Sequence, residues 1–171
     1  MLAVEGVPFV LFGDENFLKR AEVSVYLHAF KVVHNPDDVE SLKHLCVYLD
    51  PAVLAEMGAI QNHLYRAGKR LPAILVPEET IPGVKDRNHL FQVIQLYRAL
   101  QGLSGEETSV RLLYKRVEEL LHVKERLLHE KSEEAEEKLA NIEALVDCSV
   151  SFGTNCRSLL FRPSIHLATR P

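Results

Sequence analysis

The chain has 171 residues, 47 % of them hydrophobic, with a net charge of −4 and a pI near 6.1. That length suits one compact domain with an appendage, and the acidic balance argues against a nucleic-acid binder, which carries a basic surplus. No apolar run approaches the ~18 residues that span a membrane, no charged-then-apolar leader opens the chain, and three cysteines without CxxC spacing (Cys46, Cys148 and Cys156) suit a reducing cytoplasm.

The first half alternates between short apolar runs and helical periodicity. PFVLF (Pro8 to Phe12) reads as a buried strand that stops at Gly13-Asp14-Glu15-Asn16. Phe17, Leu18, Ala21, Val25 and Leu27 then recur at helical spacing. FKVVH (Phe30 to His34) reads as a second strand, and Asn35-Pro36-Asp37-Asp38 as a turn that caps a short helix. CVYL (Cys46 to Leu49) is a third strand. Val53 to Arg66 is an amphipathic helix ended by Ala67-Gly68, and PAILV (Pro72 to Val76) is a fourth strand. Apolar strands separated by helices predict a parallel α/β sheet with both faces covered. Glu78 to Arg87 is a loop. His89 to Leu100 is a helix with Leu90, Val93, Ile94, Tyr97 and Leu100 on one face.

Glu106 to about Val146 contains neither proline nor glycine, and Ser104 can cap it. Val110, Leu113, Val117, Leu120 and Leu127 form one stripe; Tyr114, Leu121, Leu128, Ala135, Leu139, Ile142 and Val146 form a neighbouring one. A single long helix carrying these stripes pairs most simply with a second copy, so a homodimer is expected; packing back on its own domain is the alternative. From Asp147 the tail is basic through Arg157, Arg162 and Arg170. It is either a loose arm or a truncated output element. The organisation expected is therefore 1–102 as the α/β domain, 103–147 as the long helix and 148–171 as the tail.

In a parallel α/β sheet the site lies beyond the carboxyl ends of the strands. Asp14 and Glu15 at the first end and Asp50 at the third would converge there, and such carboxylates suit Mg²⁺. VLFGDEN and LDPAVLAEMG, together with RLPAILV (Arg70 to Val76), resemble the receiver domain of bacterial two-component response regulators over about Val7 to Val76. The resemblance implies a Mg²⁺ site at Asp14 and Glu15, a phosphoacceptor at Asp50, and Gly58 eight positions later. Several family features differ. Gly13 stands where the first acid belongs in one register. Pro77 replaces the hydroxyl residue after the fourth strand, Lys85 is the sole candidate for the family's lysine, and the fourth helix and fifth strand have no room. These departures favour the plainer reading, in which Asp50 caps the helix that follows with Pro51 in its first turn, and Asp14 caps the helix from Glu15.

The eight histidines (His28, His34, His44, His63, His89, His122, His129 and His166) form no tight ligand spacing, although His122 and His129 could share a helix face. LLHEKSEE (Leu127 to Glu134) lacks the flanking residues of a phosphorylated-histidine helix. GxxxxGK[ST], GxGxxG and GxSxG are absent. Cys148 and Cys156 could meet across a small hairpin as plain thiols. The sequence therefore predicts a shortened pseudo-receiver: a non-enzymatic signalling module that acts by protein contact, needs no cofactor and touches neither nucleic acid nor membrane. A Mg²⁺-dependent regulator phosphorylated at Asp50 and a non-switching scaffold are the alternatives.

Overall fold

The computed structural model describes Phe17 and residues 19–103 and 109–152. Among these residues there is no strand, and every regular element is a helix. This overturns the expected α/β fold with its receiver-like parallel sheet. FKVVH lies inside α1 (Ala21–His34) and CVYL inside α2 (Val39–Leu49). Pro51–Val53 is one 3₁₀ turn, followed by α3 (Leu54–Ala67), the short α4 (Leu71–Ile74), which overlaps the start of PAILV, and α5 (Arg87–Gln101). The expected long helix is three: α6 (Val110–Leu121), α7 (Val123–Glu130) and α8 (Glu133–Phe152). PFVLF, Ser104 and Cys156 lie outside the described residues.

The misreading of FKVVH has a physical cause. Val23, Tyr26, Phe30 and Val33 are buried on one side of α1, and Val25, Ala29 and Val32 on another. A helix buried on several sides has as continuous an apolar run as a strand covered on both faces, so periodicity does not separate them. Between Phe17 and Asn35 no proline or glycine interrupts the helix.

Two compact units divide the chain, one of residues 28–105 and one of residues 1–27 with 106–171. In the first, α2 packs on the 3₁₀ turn, α3 and α5, and α3 packs on α4. Its core includes Phe30, Leu42, Leu45, Met57, Ile60, Leu71, Ile74 and Leu100. The loop before α2 is held from two elements. Tyr97 Oη donates to the Pro36 carbonyl at 2.8 Å. Asp37 accepts from Arg70 Nε and Nη2 at 2.9 and 2.7 Å and from the Leu71 amide at 3.1 Å. That guanidinium holds the Asp37 carboxyl below its usual range. Asp38 caps α2 and Gly68 stops α3 in the left-handed region at φ 62°, both where the sequence places them, while Asp86 caps α5 from within the segment expected to be a loop.

In the second unit α6 and α7 both pack on α8. Most of the stripe residues are covered within this unit: Val110, Leu113, Tyr114, Val117, Leu121 and Leu127 are buried, as are Ala135, Ile142 and Val146, whereas Leu128 is 63 % exposed. The helix breaks at His122 and Lys131, both left-handed at φ 54° and 48°. Polar groups hold both breaks. The Glu118 carboxylate accepts the Lys124 amide at 2.9 and 3.1 Å and the Tyr26 hydroxyl at 2.7 Å, and Ser132 Oγ accepts the Ala135 amide at 3.0 Å. His122 sits at the first break, so it shares no continuous helix face with His129.

Candidate functional site

Asp50 is the place to begin, and the structure makes it a cap. Its backbone is extended, its Oδ1 accepts the Ala52 amide at 3.0 Å, and Pro51 opens the 3₁₀ turn. It stands at the end of a helix rather than of a strand, so the sheet that would have gathered it with Asp14 and Glu15 is absent from the described residues. Asp14 and Glu15 themselves lie outside those residues. No group of three or more His, Cys, Asp or Glu side chains placed to hold one metal ion occurs among the described residues. Lys85 is exposed in the loop ahead of α5, and Pro77 follows α4 in a turn.

Asp50 nonetheless belongs to a cluster that sequence reasoning missed. His89, in the first turn of α5, is surrounded by three carboxylates. Its Nε2 is 3.9 Å from Asp50 Oδ2. Its Nδ1 is 3.5 Å from Glu56 Oε2 and 3.6 Å from Asp86 Oδ2. Each carboxylate uses its other oxygen on backbone: Asp50 on Ala52, Glu56 on the Asp86 amide at 3.1 Å, and Asp86 on Asn88 and His89 at 2.8 and 3.4 Å. The second oxygens turn toward the imidazole at distances longer than a hydrogen bond. Glu56 is the costly member. Its side chain is 2 % exposed, and among the described residues its Oε2 is a buried atom with no hydrogen-bond partner. Such an atom carries a desolvation penalty of roughly 1–3 kcal/mol, more when charged.

Asp50 also stands on the edge of an apolar cleft of about 360 Å³ between α2, the 3₁₀ turn and α5. The cleft is lined by Cys46, Leu49, Val53, Val93 and Leu96, with Asp50 and Gln92 as its polar members. Burial pushes the Cys46 thiol up to about 12, so it lines the cleft as a small neutral side chain. Cys148, in the other unit, is likewise buried and pushed up to about 11.

A second histidine group lies elsewhere in the same unit. His28 and His44 stack with ring centroids 4.3 Å apart and planes 5° from parallel. The Ser41 hydroxyl donates to Asp38 Oδ2 at 2.9 Å, so at 3.1 Å the His28 Nδ1–H donates to Ser41 Oγ. Burial, with His44 adding to it, lowers His28 to about 4. A metal must lie in the plane of each ring that binds it, so two parallel stacked rings do not form a chelate.

Neither cluster has a recognisable signature in the sequence, since their members come from separate helices. The one available signal was Glu56, an acid three residues after Val53 on a helix whose neighbours Met57 and Ile60 are core. No described helix is long and apolar enough to cross a membrane. Comparison with protein-family models, with curated proteins and with solved structures gave no match.

Proposed function

We propose that the protein is a helical binding module that acts by contact with other proteins, taking an apolar helical segment into the cleft between α2 and α5. The observation that carries this reading is the lining of that cleft: Cys46, Leu49, Val53, Val93 and Leu96 on its walls, with polar groups confined to Asp50 and Gln92. Grooves of this kind take the apolar face of an amphipathic helix, whose side chains recur at i, i+3, i+4 and i+7. Phosphoryl switching at Asp50 is no part of the proposal, because Asp50 stands at the end of a helix and the sheet that implied its role is absent from the described residues.

The test is an NMR titration of the full chain with a synthetic leucine peptide of helical period and with the same composition scrambled. Binding in the cleft shifts the amides of Leu49, Gln92 and Leu96 with the periodic peptide, and Leu96→Glu abolishes the effect. Equal response to both peptides, or shifts that avoid these residues, overturns the reading. Self-association on the same amides would instead make a second copy the occupant.

A further inference from the structure

We infer that the cluster of Asp50, Glu56, Asp86 and His89 is a subsite for a guanidinium group, the anchor of an arginine on the bound segment. The inference rests on the proposed cleft for the segment that carries the arginine, since Asp50 belongs to both.

Donors and charge select the ligand. Three carboxylates present one oxygen each to the imidazole and keep the other on a backbone N–H. An imidazole brings at most two N–H groups and one positive charge. Even as imidazolium it leaves the cluster short of one donor and two charges. The Glu56 Oε2 atom records the shortfall, being buried and without a hydrogen-bond partner among the described residues. The cations nearest in sequence, Lys85 and Arg87, flank Asp86 but form no ion pair with it. Asp50 and Asp86 are 43 % and 46 % exposed, so a ligand reaches their free oxygens from solvent. Glu56 supports the cluster from behind through the Asp86 amide. The oxygens encircle a ring instead of converging on a point, which suits a planar cation better than a metal ion. A guanidinium supplies five N–H groups in one plane and a fixed positive charge, so separate N–H groups can serve the single free oxygens of Asp50 and Asp86. An ammonium matches the charge but not the plane.

The experiment titrates the full-length protein with N-acetylarginine methylamide, its citrulline counterpart and N-acetyllysine methylamide, and follows the His89 ring carbons together with the Asp86 and Asn88 amides. The arginine compound is expected to shift these signals saturably, with citrulline weaker by on the order of tenfold and lysine between them. Asp50→Asn and Asp86→Asn keep the capping oxygen while removing a charge, and each should weaken the arginine response several-fold. Equal response to citrulline, a silent His89 ring, or variants that bind as well as the parent overturns the inference. If a leucine peptide enters the cleft with the same affinity whether it carries arginine or citrulline, the subsite is wrong and the binding module stands. If the arginine compound moves His89 while no periodic peptide moves Leu49 or Leu96, the subsite stands and the module is wrong.

Discussion

Glu118 and Glu56 are both carboxylates enclosed by helices, and the two units treat them in opposite ways. In the unit that holds α6 to α8, Glu118 accepts the Tyr26 hydroxyl and the Lys124 amide. Its neighbours follow suit: buried Glu22 accepts from Asn141 at 3.0 Å, and the buried Tyr114 and Ser149 hydroxyls meet at 2.9 Å. Polar groups there are consumed by the fold, and they fix where each helix turns. In the unit of residues 28–105, Glu56 keeps one oxygen for the backbone and leaves the other without a hydrogen bond. A buried polar group whose bonding capacity is spent stabilises a structure, whereas one left with capacity costs stability and is a candidate for use by a ligand.

The sharpest way to break this comparison is to neutralise each acid in turn. Glu118→Gln turns an amide N–H toward the Lys124 amide and should cost about 1.5–3 kcal/mol, visible in urea unfolding and in faster amide exchange at the start of α7. Glu56→Gln keeps the acceptor for the Asp86 amide and relieves the excess negative charge, so its effect should stay within about 1 kcal/mol of neutral. Similar losses in the two variants would mean that Glu56 is as structural as Glu118.

A smaller effect is expected from His28, which belongs to the same unit as Glu56. Its folded pKa, lowered to about 4, lies below the ordinary value of 6.5. The unfolded chain therefore takes up its proton first as the pH falls. Stability from this group is complete above pH 6.5, declines as the pH drops toward 4, and levels off below that. Allowing for its partial exposure, the loss should be about 1–2 kcal/mol. Thermal unfolding between pH 4 and 7 measures it, and His28→Phe should flatten that part of the curve. A parent slope that the variant retains in full would assign the dependence to other groups.

The legible parts of the fold were those with local chemistry. Asp38 before α2 and Gly68 after α3 announce their helix ends, and the five buried residues of α5 are those its period marks. Asp50 was legible as a cap because Pro51 follows it. FKVVH was not legible as helix, because tertiary burial on several sides removes the polar face that periodicity needs, and CVYL was too short an apolar run to show the period of the helix it ends. The break at His122 could not be read either: its left-handed backbone is held by Glu118 and Tyr26, and Tyr26 is distant in sequence. The break before α8 carried a readable signal, Ser132 followed by Glu133 and Glu134, a cap with acids in the first turn. The His89 cluster depends on three elements meeting, and no spacing in the sequence encodes that.

These caps set the smallest expected effects. Ser132→Ala should cost about 1 kcal/mol and fray the first turn of α8. Gly68→Ala should cost a similar ~1 kcal/mol from its left-handed backbone alone, since an added Cβ would meet nothing within 4 Å. A loss well above that in Gly68→Ala would point to a contact missing from this account.

The most direct measurement is an amide and His-ring NMR titration of the full chain with one periodic leucine peptide carrying a single arginine. The account predicts that Leu49, Gln92, Leu96 and the His89 ring move together and saturate at one peptide per chain, while the signals of 109–152 stay in place. Shifts gathered on α6 to α8, or none at the cleft and the ring, would contradict it.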